Sequence, residues 1–214
     1  MIKKIKITFL LDESNNWIEN FIRSKFKNKN KKFIFKISKN FKKVNKQDLV
    51  FILNYTKILP TQFLKKNHLN LVVHESGLPK GKGFAPVQWQ ILNNKKMIPV
   101  CLIEAVKKFD SGDIFEKTFF KLKGDELNTE IREKQAKAAI AIIKKFLSKF
   151  PKIKRRSQVG KSTYFKRRYP KDSELNINKS LKNNFNLLRI ADNEKYPAFF
   201  TYKKKKYFIK IFLK

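Results

Sequence analysis

Apolar positions in this chain fall into short runs separated by polar, lysine-rich stretches, and the spacing within the runs changes along the sequence. KIKITFLLD (residues 4–12) alternates and then turns continuously apolar, as the first strand of a buried sheet does. WIENFIRSKF (17–26) spaces its apolar residues three and four apart, which predicts a helix. KKFIFKIS (31–38), DLVFILN (48–54) and LNLVV (69–73) predict a second, third and fourth strand. PTQFLKK (60–66) opens on proline, which suits a first helical turn. APVQWQIL (85–92) predicts a short helix, IPVCLIEA (98–105) a fifth strand, and IFEKTFFKL (114–122) an extended segment. The clearest helix spans 125–150: alanine and long side chains dominate, acids cluster at its start, lysines at its end, and Pro151 stops it. Beyond it, 152–176 is polar, basic and loop-rich, 180–191 predicts another helix, and 198–212 a hairpin with a lysine-rich turn. Strands alternating with helices predict a doubly wound α/β sheet. The pattern divides the chain into a domain over 1–150 and a small C-terminal subdomain over 151–214 made of a loop, a helix and a β-hairpin.

Composition narrows the class. At 214 residues and 42% hydrophobic the chain suits one α/β domain with a small appendage and an ample core. It has no apolar run of about 18 residues, so a membrane is not an expected partner. MIKKIKITFLLD (1–12) starts basic and apolar like a signal peptide, yet it alternates Lys with Ile and lacks a small-residue cleavage site, so it reads as a strand. Cys101, alone in an apolar run, behaves as a small hydrophobe and fits a reducing, cytoplasmic location. A net charge of +34 is what a nucleic-acid-binding protein carries. Only seven of the 51 basic residues are arginine, however, and lysine, asparagine and isoleucine share A/T-rich codons. Genome composition therefore accounts for the excess, and nucleic acid is not the expected partner. The field still attracts anionic ligands.

The chemistry concentrates in two places. HESGLPKGKGFAP (74–86) follows an apolar run and sets His74 at a strand end before a Gly- and Pro-rich loop, where open α/β sheets bind ligands. FDSGDI (109–114) does the same for Asp110, so two neighbouring strand ends would present an acid/base pair. Asp113 is expected to support its loop, and His68, without such a context, to lie on the surface. GKS (160–162) lacks the earlier glycine of a P-loop, and KGKG (80–83) is not a dinucleotide fingerprint. Two histidines and one cysteine, widely scattered, make a poor zinc site, so no metal is expected.

HxSxLPxxxGxxP followed by DxGDI at this spacing resembles the folate-dependent formyltransferases, the family of methionyl-tRNA formyltransferase, glycinamide ribonucleotide transformylase and the sugar N-formyltransferases. DLVFILNYTKILP (48–60) is similar to the family's pterin-holding strand and loop. FNLLRIADNEKYPAFF (185–200) resembles the tail of enzymes acting on nucleotide-linked amino sugars, closest to the perosamine type. The resemblance implies a Rossmann-like catalytic domain, 10-formyltetrahydrofolate as co-substrate, and a nucleotide-linked amino sugar of surface polysaccharide synthesis as acceptor. It implies that His74 sits beside the oxyanion and the transferring nitrogen. Asp110 would orient His74, raise its pKa and handle protons. Lys57, Ile58 and Leu59 would border the pterin, with Phe84 near it and Val106, Lys107, Lys108 and Phe109 as the opposite lip. Ser76, Arg167 and Arg168 are candidates for the acceptor; the arginines would meet a diphosphate or shape the acceptor site, unless they belong simply to a solvated basic loop. Tyr164, Phe165 and Tyr169 would stack on a base or sugar, or dock the tail. One departure stands out: the family pattern is Asn-x-His, and Val72 replaces the oxyanion-binding Asn. Removing such a donor costs about 2.7–4 kcal/mol of transition-state stabilisation. Asn70, Ser76, Gln88 or a backbone N–H would have to compensate, or activity is lost. Methionyl-tRNA formylation, favoured by the charge, and non-catalytic nucleic-acid binding are the alternative functions. The tail hairpin also offers edges through which a homodimer would pair.

Overall fold

The computed structural model describes residues 4–13, 17–27 and 32–214. Met1 to Lys3 and Lys31, at the start of two expected strands, lie outside the described residues. Four strands, β1 (Ile5–Leu11), β2 (Phe33–Ser38), β3 (Leu49–Leu53) and β4 (Leu69–His74), run parallel. A short parallel pair, β5 (Lys82–Gly83) with β8 (Tyr164–Phe165), forms its own sheet. Strand β6 (Met97–Glu104) lies antiparallel to β4, and β7 (Ile114–Lys121) antiparallel to β6, so the main sheet reads β2-β1-β3-β4-β6-β7. The extended stretch predicted over 114–122 is thus the sheet's edge strand. The C-terminal hairpin is β9 (Ala198–Tyr202) with β10 (Lys205–Ile209).

Alternation sorts the sheet residues onto two faces. Ile7, Phe9 and Leu11, with Leu49, Phe51, Leu53, Leu71 and Val73, form the larger core beneath α1 (Glu19–Lys25) and α4 (Asn128–Lys149). Leu10, Val50 and Ile52 face the other way, toward Phe63 of α2 (Thr61–Lys66). Phe146 of α4 is fully buried and meets Phe51 and Phe115 edge-on at 5.8 and 5.5 Å. Such pairs add about 0.5–1.5 kcal/mol beyond their area burial.

Helix α4 begins three residues later than the sequence pattern suggests. The Glu126 side chain turns back to accept from the backbone N–H of Lys123 (2.7 Å) and Gly124 (3.1 Å), which holds 123–126 in a turn. The same carboxylate meets buried Arg189 at 2.9 Å, tying α5 (Leu181–Ile190) to the start of α4. Helix α3 (Pro86–Leu92) packs beside α5 and follows the loop that carries His74's neighbours. Among the described residues no helix is long and apolar enough to cross a membrane.

Candidate active site

A cavity of about 810 Å³ opens beyond the carboxyl ends of β3 and β4. It continues down the sheet face that carries Ile52, Val72, His74 and Ile103. The volume lies toward the upper end of the roughly 300–1,000 Å³ of small-molecule sites. Lys57, Ile58 and Leu59 line it on a loop anchored from β1's end: Asp12 accepts from the backbone N–H of Thr56 at 3.0 Å and from its hydroxyl. Phe84, Val106, Lys107 and Phe109 line it opposite, whereas Lys108 is not among its walls.

His74, the last residue of β4, is buried against this cavity. Its Nε2 lies 2.9 Å from the Gly81 carbonyl, which can only accept, so Nε2 carries the hydrogen in this contact. Nδ1 faces Asp110 Oδ1 at 3.6 Å, longer than a hydrogen bond but within ion-pair reach. The sheet explains how they meet: Cys101 of β6 lies opposite His74, and the chain returns after β6 through the loop holding Asp110.

That loop is clamped from several directions. Asp110 takes a left-handed backbone (φ 48°), which asparagine and aspartate tolerate better than most residues. Its Oδ2 accepts from the Gly83 N–H at 2.8 Å, and its carbonyl from Gln158 Nε2 at 2.8 Å. Gly83 has φ 98°, and a Cβ there would lie 2.4 Å from the Phe165 carbonyl, so only glycine fits between the two strands. Thr163 accepts from Gly81 N–H through its hydroxyl (2.9 Å) and from Lys82 N–H through its carbonyl (2.9 Å). Lys82 Nζ reaches Ser111 Oγ at 3.0 Å, linking the glycine loop to the Asp110 loop. The polar segment after α4 is therefore a strap across both loops. Asp113 accepts from Ser157 at 3.0 Å, a loop support as expected.

Val72 lines the cavity where the oxyanion donor was expected, and Asn70 does not compensate. Asn70 Nδ2 donates to the Leu64 carbonyl (2.8 Å) and Oδ1 accepts from Asn67 (3.0 Å), so both ends are spent below the cavity. Ser76 is buried away from the cavity walls, its Oγ without a partner and its carbonyl contacted by Cys101 Sγ at 3.1 Å. Gln88 does line the cavity. At the rim Arg167 lies over the exposed Phe84 ring at 4.8 Å. Arg168 packs over Trp89 at 5.4 Å and donates to the Asp172 carbonyl at 2.7 Å; its burial lowers the guanidinium pKa. Phe165 stacks on Trp89 at 6.4 Å, while Tyr164 and Tyr169 remain exposed at the cavity edge. His68 is exposed.

Four contributors were missed, and three of them left no signal in the hydrophobic pattern. Gln158 and Thr163 act from a polar stretch without periodicity, and Asp12 acts as an anchor. Glu75 lines the cavity beside His74 and accepts from Gln135 of α4 at 2.7 Å. Its position after the catalytic-looking histidine was the one available hint.

Residues 8–147 match the family model for formyl transferase. The chain belongs to this family. A curated relative, the bifunctional polymyxin resistance protein ArnA of Wigglesworthia glossinidia brevipalpis, is 33% identical over 73% of this chain and 24% of its own length. The match also covers 46% and 50% of the length of the methionyl-tRNA formyltransferases of Lactobacillus johnsonii and a Sulfurihydrogenibium species, so the chain spans about half or less of such curated relatives. Among solved structures, methionyl-tRNA formyltransferase from Clostridium thermocellum superposes with a TM-score of 0.82 and 25% identity, over 94% of this chain and 90% of that one. A sugar N-formyltransferase from a Shewanella species shares the fold at a TM-score of 0.69 and 15% identity, over 97% of both chains.

Proposed function

We propose that the protein transfers a formyl group from 10-formyltetrahydrofolate to the amine of a nucleotide-linked amino sugar. The observation that carries this reading is the composition of the cavity that holds His74 and Asp110. His74 and Asp110 stand in it between the Lys57–Leu59 loop and a second side closed by the segment after α4, including Arg167, Tyr169, Asp192 and Tyr196. One side suits the planar folate ring, the other a polar, anionic acceptor under a basic rim. The fold, shared with a sugar N-formyltransferase over 97% of both chains, accommodates this reading.

Each residue has a task in the reaction. The folate side supplies the formyl carbon. His74 stands beside it to relay a proton toward the leaving nitrogen, and Asp110 offsets the positive charge that then develops on the imidazole. With Val72 unable to donate, the oxyanion must take its hydrogen bonds from a backbone N–H, from Gln88, or from His74 Nε2 once that N–H leaves the Gly81 carbonyl. Lys57, Lys107 and Arg167 draw in anionic substrates.

A second reading, formylation of methionyl-tRNA, is favoured by the Clostridium structure's similarity and by the net charge of +34. Incubation with 10-formyltetrahydrofolate and either a panel of amino-sugar nucleotides or methionyl-tRNA separates the two, with mass spectrometry of the product. A formylated sugar nucleotide upholds the proposal. A formylated methionyl-tRNA with no sugar product overturns it.

A further inference from the structure

We propose that Glu75 is the proton acceptor on the acceptor-amine side of the cavity, taking the extra proton of the incoming ammonium so that the free amine can attack. The inference rests on the preceding reading only in that the acceptor is a primary amine. Alternation turns His74 toward the folate side of β4 and Glu75 the other way, toward α4. There Gln135 donates to Glu75 Oε1 at 2.7 Å, and both residues line the cavity. The backbone is held as well: Gln90 of α3 donates to the Glu75 carbonyl at 2.7 Å. Two helices thus preorganise one carboxyl group in the wall next to the histidine.

Its neighbours distinguish it from the other carboxylates lining the cavity. Asp192 is paired with Arg132 at 3.0 Å and Glu104 with Arg155 at 2.7 Å. Asp110 is engaged by the Gly83 N–H and faces His74. Among the described residues no lysine or arginine pairs with Glu75; its partner is the neutral amide of Gln135. The charged groups that bear on it are His74, which favours its ionised form, and Asp110, which opposes it. Arg132, one turn before Gln135 on α4, is taken up by Asp192. A core has little use for such a group, because burying a carboxylate without a cation is costly. A site that must admit an ammonium past a rim of lysines and arginines does have a use for it. Burial raises the Glu75 carboxyl above the ordinary carboxylate value, so its ionised form is the stronger base toward an ammonium that enters beside it.

The step balances as follows. The ammonium gives one proton to the Glu75 carboxylate and becomes a free amine. The amine nitrogen bonds to the formyl carbon, and the bond from that carbon to the folate nitrogen breaks. One amine proton passes by way of His74 to the folate nitrogen. Glu75 returns its proton to water when the products leave.

The test compares wild type, Glu75→Gln and Glu75→Asp at saturating 10-formyltetrahydrofolate, with amino-sugar nucleotides and methionyl-tRNA as acceptors. At neutral pH, Glu75→Gln should lose about 10²–10⁴ in kcat/KM for the amine. Its acid limb should move alkaline to that of the acceptor's own ammonium, so the deficit shrinks as pH rises. Glu75→Asp should recover part of the rate. Tetrahydrofolate affinity by calorimetry should stay unchanged, and Glu75→Gln, which removes a buried carboxylate, should melt no lower than wild type at alkaline pH. A variant with wild-type rates, or a loss that does not vary with pH, overturns the role. If only methionyl-tRNA is formylated and Glu75→Gln is impaired on it, the sugar reading falls and Glu75 stands. If sugars are formylated equally by both, Glu75 falls and the sugar reading stands. If the wild type formylates no amine, both fall.

Discussion

Replacing Asp110 with asparagine isolates one charge. The substitution keeps the size of the side chain, and its Oδ1 can still accept from the Gly83 N–H that now lies 2.8 Å from Oδ2. The left-handed backbone at 110 suits asparagine as well as aspartate, and the Gln158 bond goes to the carbonyl, which does not change. What disappears is a negative charge 3.6 Å from His74 Nδ1, where the two side chains are only 7% and 14% exposed. With an effective dielectric of about 20, that pair is worth roughly 4–5 kcal/mol when the imidazole is charged. Catalysis feels only the part that grows between ground and transition state. If that is half or more, the rate falls by about 10²–10³. The assay is kcat for formyl transfer by mass spectrometry, with a thermal melt and tetrahydrofolate affinity as controls. A loss below about tenfold with an unchanged melt would refute the assignment of Asp110 as the charge that supports His74.

Three further outcomes are expected. Glu126→Gln leaves Arg189, 3% exposed, without its carboxylate, and should cost about 3–5 kcal/mol in urea unfolding at neutral pH. Burial opposes ionisation of Glu126, but Lys134 and the N–H groups of Lys123 and Gly124 outweigh it and hold its pKa at about 2 against an ordinary 4.5. The stabilisation is therefore full above the unfolded-state value and lost as pH falls through about 2; a penalty unchanged at that pH contradicts the linkage. Phe146→Ala empties a fully buried site between Phe51 and Phe115 and should cost about 3–5 kcal/mol; a denaturation midpoint close to wild type would mean that the core repacks. Gly83→Ala pushes a Cβ to 2.4 Å from the Phe165 carbonyl, so it should displace the strap and the Gly83–Asp110 bond. Activity should drop more than about tenfold with unchanged helical circular dichroism, and full activity would show that the strap does not position the loop.

The main elements were legible because each buries a face. Strands β1, β3, β4 and β6 are apolar runs of the length that a two-sided sheet requires, and α4 has the composition of a long amphipathic helix. Direction was not legible: β6 and β7 run antiparallel, and an apolar run buried on both faces reads the same in either sense. The first turn expected of α4 went instead to Glu126's bonds, a choice that depends on Arg189 some sixty residues away. In the site, His74 and Asp110 announced themselves by residue type and place after apolar runs, and the structure brings them within 3.6 Å. Ser76 and Lys108 carried equally plausible residue types and were not brought to the cavity, because the turn after β4 points one inward and the loop after β6 leaves the other outside.

The sequence by itself determined which segments become strands and helices and singled out His74, at the end of β4, and Asp110, which the structure places in the loop six residues beyond β6 rather than at a strand end. These properties are written in hydrophobic period and residue chemistry, which act over a few neighbours. Only the tertiary structure decided what surrounds those groups. Gln158 and Thr163 secure the loops through backbone atoms, Asn70 spends its amide elsewhere, and Glu75 joins the cavity because Gln135 reaches it from α4. Hydrogen bonds between a side chain and a distant main chain leave no periodic trace, so their partners are chosen only when the chain has folded.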